Sequence, residues 1–260
     1  MRQLTSAGDE TAHINLALAD LEPGEVLEVS DESDEVEVAV VVMSGVVDAS
    51  ADGWTRRAGG RTSVFEARGD TVYVPSGIGL QVTAVFDAPV QVAIASVAAE
   101  PSKDVAPARI IGPSDQTVNE VGKGNWSRTV RTILGPEPGH DAQRLLLGET
   151  INPAGNWSSY PPHRHDRDNP PEEVDLEEVY LFKTNPAGGF GVQIRYELDG
   201  DRAEEAFLVR DDDIAVIRTG FHPVVAASGY ELYYLWVMAG EGRVMMPYLD
   251  PAHAWVMNGR

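Results

Sequence analysis

Short apolar runs between turn residues are the strongest constraint on what this chain can fold into. The runs Val36–Met43, Thr71–Val74, Val90–Val97, Glu178–Phe182, Val192–Tyr196, Ile214–Ile217 and Leu232–Met238 are rich in Val, Ile, Leu and Tyr. Between such runs stand Ser44-Gly45, Asp52-Gly53, Gly59-Gly60 and Asp199-Gly200. β-branched and aromatic residues in brief segments, punctuated by Gly and Asp turns, predict strands in an all-β sandwich or barrel. No segment sustains a helical period, so helices are expected only as short connections.

The strands divide into two groups. Residues 101–125 are polar, carry Pro101, Pro107 and Pro113, and lack alternation, which predicts a connection between two β lobes. The expected organisation is a first lobe over 1–100, a connection over 101–138 holding a strand near 125–134, and a second lobe over 139–260. The lobes share a pattern. Gly69-Asp70 precedes Thr71–Val74 and a turn ending at Leu80; Asp212-Asp213 precedes Ile214–Ile217 and a turn ending at His222. An acidic turn residue, a four-residue apolar strand and a Gly-closed turn recur in both, a weak internal repeat.

Chemistry concentrates in residues 160–183, YPPHRHDRDNPPEEVDLEEVYLFK. Residues i and i+2 of a strand share a face roughly 7 Å apart, and Pro161 and Pro162 oppose a helix here. His163 and His165 therefore aim two imidazoles at one point, the usual arrangement for a metal ion. Strand parity puts Glu178, Tyr180 and Phe182 on one face and Glu177, Val179 and Leu181 on the other. Glu178 is the expected carboxylate ligand, and a one-residue bulge would exchange it for Glu177. Arg164, between the histidines, is expected to point away from them.

Composition narrows the alternatives. With no cysteine, disulfides and thiolate ligands are excluded, so a metal must use His, Asp or Glu. A net charge of −21 repels nucleic acid and anionic lipid. No apolar run has membrane-spanning length, and MRQLTSAGDE lacks the apolar core of a signal peptide, so a cytoplasmic protein is expected. An anionic substrate entering so acidic a molecule needs a local cation.

The His163-x-His165 pair followed by Glu178 resembles the first motif of the cupins, with a longer insertion over 166–176. The segment 212–222 resembles the second motif, with His222 kept. Cupins are small jelly-roll β-barrels that bind a divalent metal through three His and one Glu. The resemblance implies a bicupin, two jelly-roll barrels, with ligands His163, His165, Glu178 and His222. Such a set suits Zn2+ first, with Mn2+ or Fe2+ as alternatives. The first lobe resembles the same motifs without their ligands: Val38 stands where the Glu would be and Leu80 where the last His would be.

A closer resemblance covers most of the chain. GNWSRTVRTIL (124–134), the run from 145 to 182, GFGVQIRYE (189–197), residues 220–240 and DPAHAW (250–255) resemble the 5-deoxy-glucuronate isomerase family, which acts in bacterial inositol breakdown. It implies an aldose–ketose isomerase acting on a small anionic sugar acid. Such a reaction needs a Lewis acid for the carbonyl, a group that moves a proton between adjacent carbons and a cation for the distant carboxylate. Arg195, which shares a strand face with Gln193, is the expected carboxylate holder, ahead of Arg128 and Arg131. Tyr180 is the expected hydroxyl at the site, with Tyr160 and Tyr233 also considered; no residue pattern singles out the base. His13, His140 and His253 are expected to be structural or exposed. The rivals are the related uronate isomerase of pectin breakdown, an O2-using cupin dioxygenase, and a non-catalytic sugar-binding bicupin. Edge strands and a ligand-free lobe lead to the expectation of a homo-oligomer.

Overall fold

The structure, a computed structural model, describes residues 1–139, 141–198 and 204–258. His140 and the Asp199-Gly200 turn lie outside the described residues. Among the described residues, regular structure is strands joined by two 3-10 turns, Gly124–Trp126 and Ala254–Asn258.

The strands fall into two matching sets. The first comprises β1 (Arg2–Thr5), β2 (Ile14–Leu21), β3 (Val26–Ser30), β4 (Val36–Ser44), β5 (Val46–Ala51), β6 (Trp54–Gly59), β7 (Thr71–Val74), β8 (Leu80–Ala84), β9 (Val90–Ala98) and β10 (Arg109–Ile111). The second comprises β11 (Thr117–Val121), β12 (Arg128–Leu134), β13 (Leu146–Asn152), β14 (Trp157–Ser158), β15 (His163–Arg164), β16 (Glu177–Asn185), β17 (Gly191–Arg195), β18 (Glu205–Val209), β19 (Ile214–Ile217), β20 (Val224–Ala226), β21 (Glu231–Ala239) and β22 (Tyr248–Leu249). In the first set, the sheets run β1-β2-β9-β4-β7-β10 and β3-β8-β5-β6. In the second they run β11-β12-β13-β21-β16-β19 and β14-β20-β17-β18, with β15 and β22 as a separate pair. The same order recurs strand for strand: β2-β9-β4-β7 corresponds to β13-β21-β16-β19, and β3-β8-β5-β6 to β14-β20-β17-β18. This is the all-β bicupin expected from the motifs.

The register carries the repeat to the residue. Val38 of β4 pairs with Val74 of β7, and Glu178 of β16 pairs with Ile217 of β19. The two positions are equivalent, but their surroundings differ. Val38 and Leu80 are both in the first core, with Val40, Val72 and Val92 from one sheet and Val47, Ala49 and Val82 from the other. Hydrocarbon fills the space that ligands occupy in the second lobe. Strands β4, β16 and β21 are buried at nearly every position and β9 at most, which is why their sequences read as continuous apolar runs rather than alternations.

The compact units do not follow the boundaries expected at 100 and 138. Residues 1–116 and 133–146 form one unit; 117–132 and the chain from 147 form the other. Two local features explain the difference. Strand β12 closes a hairpin with β11, from Thr117↔Thr132 to Val121↔Arg128, so residues 117–132 of the supposed connection belong with the second lobe. The segment after it is tied to the first lobe by Glu37, whose buried carboxylate accepts from the Tyr73 hydroxyl (2.9 Å) and from the backbone N–H groups of Gln143 (2.5 Å), Arg144 (2.7 Å) and Leu145. No periodicity announces a buried acid whose backbone partners lie 106 to 108 residues away.

Candidate metal centre

Strand β15 pairs with β22 through His163↔Leu249 and Arg164↔Tyr248. On this short strand and its extension, His163 and His165 face one way and Arg164 the other. Arg164 Nε reaches Glu173 at 3.2 Å and Asp166 at 3.5 Å, and its guanidinium lies over the rings of Phe221 and Tyr248. His222 arrives from the turn after β19. Its ring centroid is 4.8 Å from that of His163 and 5.0 Å from that of His165. One nitrogen from each of the three lies within 4.8 Å of the others. Glu178 points into this group: its Oε2 is 3.2 Å from His165 Nε2 and 3.3 Å from His222 Nε2.

The insertion over 166–176 builds the walls of this arrangement. The Asp166 N–H donates to Glu173, and the Leu176 N–H donates to the His165 carbonyl. Asp166 Oδ2 accepts from the Gly220 N–H at 2.6 Å, so one loop fixes both the His165 strand and the His222 turn. Gly220 has a φ of +86°, and a Cβ there would stand 2.7 Å from the Tyr196 carbonyl. Only glycine fits that bend.

The hydrogen bonds fix the tautomers and thereby test whether a metal fits. Nδ1 of His165 donates to the Leu176 carbonyl at 2.6 Å, and Nδ1 of His222 donates to the Gly220 carbonyl at 3.0 Å. Each neutral ring then turns an Nε2 lone pair toward Glu178. His222 Nε2 is buried with no hydrogen-bond partner. Lone pairs on two nitrogens and a carboxylate repel one another unless a cation lies among them. Three imidazoles and one carboxylate suit a divalent metal, so the residues fit the ion that the motifs imply.

The electrostatics agree in direction. Burial, then the neighbouring His222 and His165, push the His163 pKa well below its ordinary value, with Arg128 adding to the effect. Burial works against the charged form of His165, yet Glu178 raises its pKa overall. Burial also opposes ionisation of Glu178, but the adjacent His165 and His222 imidazoles hold it well below the usual carboxylate range. Glu178 is thus an anion and His163 a neutral donor.

His163, His165 and Glu178 line a cavity of about 210 Å³. The β16–β21 register explains much of its wall: Glu178 is opposite Met238, Tyr180 opposite Trp236 and Phe182 opposite Tyr234. Directly paired residues share a face, and Met238, Trp236 and Tyr234 line the cavity with Glu178 and Tyr180. Glu177, opposite Ala239, is not among the lining residues. Val130, Leu176 and Met245–Pro247 complete the apolar surface, and Thr132, Thr150, Ser159 and Arg128 bring polar groups. The Tyr180 and Tyr234 rings lie 4.4 Å apart. Their hydroxyls bond to Ser159 (2.9 Å) and Ser158 respectively. Burial raises both phenol pKa values, so both are donors at neutral pH rather than bases.

Two expectations need correction, those for Arg195 and Gln193. Arg195 does not line the cavity. Its Nη2 bonds to Glu205 at 2.5 Å, with the side chain 38% exposed. Its strand faces are as expected, but Glu205 on the adjacent β18, paired with it in register, draws it to the surface. Gln193 is buried and donates from Nε2 to the main-chain carbonyls of His222 (2.9 Å) and Pro223 (3.2 Å). It supports the His222 backbone and does not reach the cavity. Tyr233 turns away and donates to Glu149 at 3.0 Å, leaving its neighbour Tyr234 in the wall. Arg128, ranked behind Arg195 from sequence, does line the cavity, where burial lowers its pKa. The parity of β21 could have pointed to Tyr234; nothing in the sequence around Arg128 distinguishes it.

Comparison with known proteins agrees with this geometry. A model of the KduI/IolB family matches residues 2–256. The 5-deoxy-glucuronate isomerase of Geobacillus kaustophilus is 42% identical over 232 residues, 88% of this chain and 81% of that protein. The protein of the same name from Bacillus subtilis (strain 168) is 34% identical over 259 residues, 99% of this chain and 92% of the relative. The crystal structure of an IolB-like protein from Salmonella typhimurium matches with a TM-score of 0.91 at 31% identity, covering 98% of this chain and 94% of that one. Oxalate decarboxylase from Lactobacillus farciminis, at 12% identity and a TM-score of 0.67 over 96% of this chain and 82% of its own, shares the fold alone. The chain is an isomerase and belongs to the KduI/IolB family.

Proposed function

We propose that this protein is a metal-dependent aldose–ketose isomerase that converts 5-deoxy-D-glucuronate into 5-dehydro-2-deoxy-D-gluconate in myo-inositol breakdown. The observation that carries the reading is the convergence of His163, His165, His222 and Glu178 at a cavity that hydroxyls and a guanidinium also line. The names of the relatives supply the substrate. The reaction moves one hydrogen from C2 to C1 and shifts the carbonyl the other way, so no external oxidant or reductant is consumed.

A divalent ion, zinc in this reading with manganese or iron as alternatives, supplies Lewis acidity for the sugar's carbonyl and neighbouring hydroxyl. The protein's own groups do the rest. The Nδ1 bonds to Leu176 and Gly220 keep His165 and His222 in the ligand tautomer. The protonated hydroxyls of Tyr180 and Tyr234 donate hydrogen bonds to sugar oxygens in a wall that is otherwise apolar. Leu176, Trp236 and Met238 keep bulk water from the reacting carbons. The partner is a small sugar acid, with nucleic acid and membrane excluded by charge. The enzyme is placed in the cytoplasm and expected to form a homo-oligomer.

The test is to incubate metal-loaded protein with 5-deoxy-D-glucuronate in D2O and follow the ketone by NMR, with 5-dehydro-4-deoxy-D-glucuronate in parallel. Turnover of the first substrate in excess of the second is expected. Deuterium at C1 of the product identifies transfer through solvent-exchanging groups, and its absence a direct hydride shift or a base shielded from solvent. Preference for the second substrate would reassign the chain to the pectin-pathway reaction, and no turnover of either would overturn the isomerase reading.

A further inference from the structure

Among the described residues, Arg128 is a cation without a counter-ion. Three other arginines of the same unit each meet a carboxylate: Arg131 with Glu149, Arg164 with Glu173 and Arg195 with Glu205. Arg128, partly buried on β12, has only main-chain partners among the described residues. Its Nη1 donates to the carbonyls of Tyr160 (3.0 Å) and Trp126 (3.3 Å). A guanidinium has five N–H donors. The two on Nη1 are used, which leaves Nε–H and both Nη2 hydrogens. Of these, Nε–H and the Nη2–H beside it form the edge of the fork that accepts a carboxylate side-on. In a chain with 41 acidic and 20 basic residues, leaving a cavity arginine unpaired is costly unless an anion completes it. The two main-chain bonds fix the plane of the fork, so it is preorganised rather than mobile.

We propose that Arg128 binds the carboxylate of the substrate, so that the cavity recognises its ligand at two points, the sugar's oxygen-bearing end at the histidine cluster and its acid end at the guanidinium. The inference rests on the isomerase reading for the identity of the sugar acid, but not for the presence of an anion subsite. It assigns acid-over-neutral selectivity to one residue, and it removes Arg195 from that role.

The test measures binding without turnover. Borohydride reduction of the aldehyde of 5-deoxy-D-glucuronate gives an open-chain acid, and the primary amide of the same chain is its neutral isostere. Titration calorimetry on metal-loaded wild-type protein is expected to show the acid bound about 10- to 100-fold more tightly than the amide, the range of a charge-assisted hydrogen-bonded pair. R128Q, at unchanged metal content, is expected to bind both alike. R128K keeps the charge without the fork and should retain part of the preference, which keeps the proposal testable if R128Q does not fold. R195Q should leave the preference intact. Absence of an acid preference in the wild type, or its survival in R128Q, overturns the proposal. So does equal weakening of acid and amide in both Arg128 variants, because that outcome means the side chain only tethers the Trp126 and Tyr160 backbone. If the acid preference depends on Arg128 but no uronate turns over, the subsite stands and the isomerase reading falls.

Discussion

Adjacent residues of one strand have opposite fates in this protein. Glu178 reaches two imidazoles while Glu177, one position earlier, is absent from the cavity wall. E178Q should therefore lower metal affinity by at least about 10-fold, since loss of even an outer partner of a metal ligand costs that much. E177Q should keep near-wild-type metal content; elemental analysis after dialysis checks both, and a reversed order would mean that the strand is bulged. Parity made this pair legible, because an extended strand alternates whatever surrounds it. The same parity failed for Arg195. It correctly groups Arg195 with Gln193 but carries no information about Glu205, the cross-strand partner that draws the guanidinium outward. Arg128 ranked below Arg195 for the complementary reason: its significance is that no carboxylate among the described residues pairs with it, a property of every other strand.

At the level of elements, the repeat explains why one lobe holds ligands and the other does not. Strands β4–β7 and β16–β19 place Val38 and Glu178 at equivalent register positions, so the scaffold is common and the side chains alone decide. The weak motif repeat was readable because its turns and apolar strands are local. The tie between residues 143–145 and Glu37 was not, because it joins segments far apart in sequence. Four donors converge on that buried carboxylate. E37A would leave the Tyr73 hydroxyl and three backbone N–H groups without an acceptor, and should destabilise the protein by about 3 kcal/mol or more. Denaturant unfolding measures the loss; a change below about 1 kcal/mol would mean that water replaces the carboxylate.

Across the whole molecule, metal and stability should be linked. A ligand that binds the folded state at 100 times its dissociation constant stabilises by about 2.7 kcal/mol. Chelation is accordingly expected to lower the melting temperature and abolish isomerisation, with both restored by zinc or manganese and with activity unchanged under anaerobic conditions. A loss of activity without oxygen would favour the dioxygenase alternative. By itself the sequence determined the strand-rich class, the two related lobes, the histidine pair, and the candidate carboxylate on β16, because these follow from periods of two and from turn chemistry within a few residues. Only the tertiary structure decided which arginine faces the cavity, that Gln193 supports the His222 backbone, that Tyr234 rather than Tyr233 forms the wall, and where one lobe gives way to the other. Those outcomes depend on which distant side chains come within hydrogen-bond range once the sheets close, and electrostatic pairing across that distance leaves no trace in local spacing.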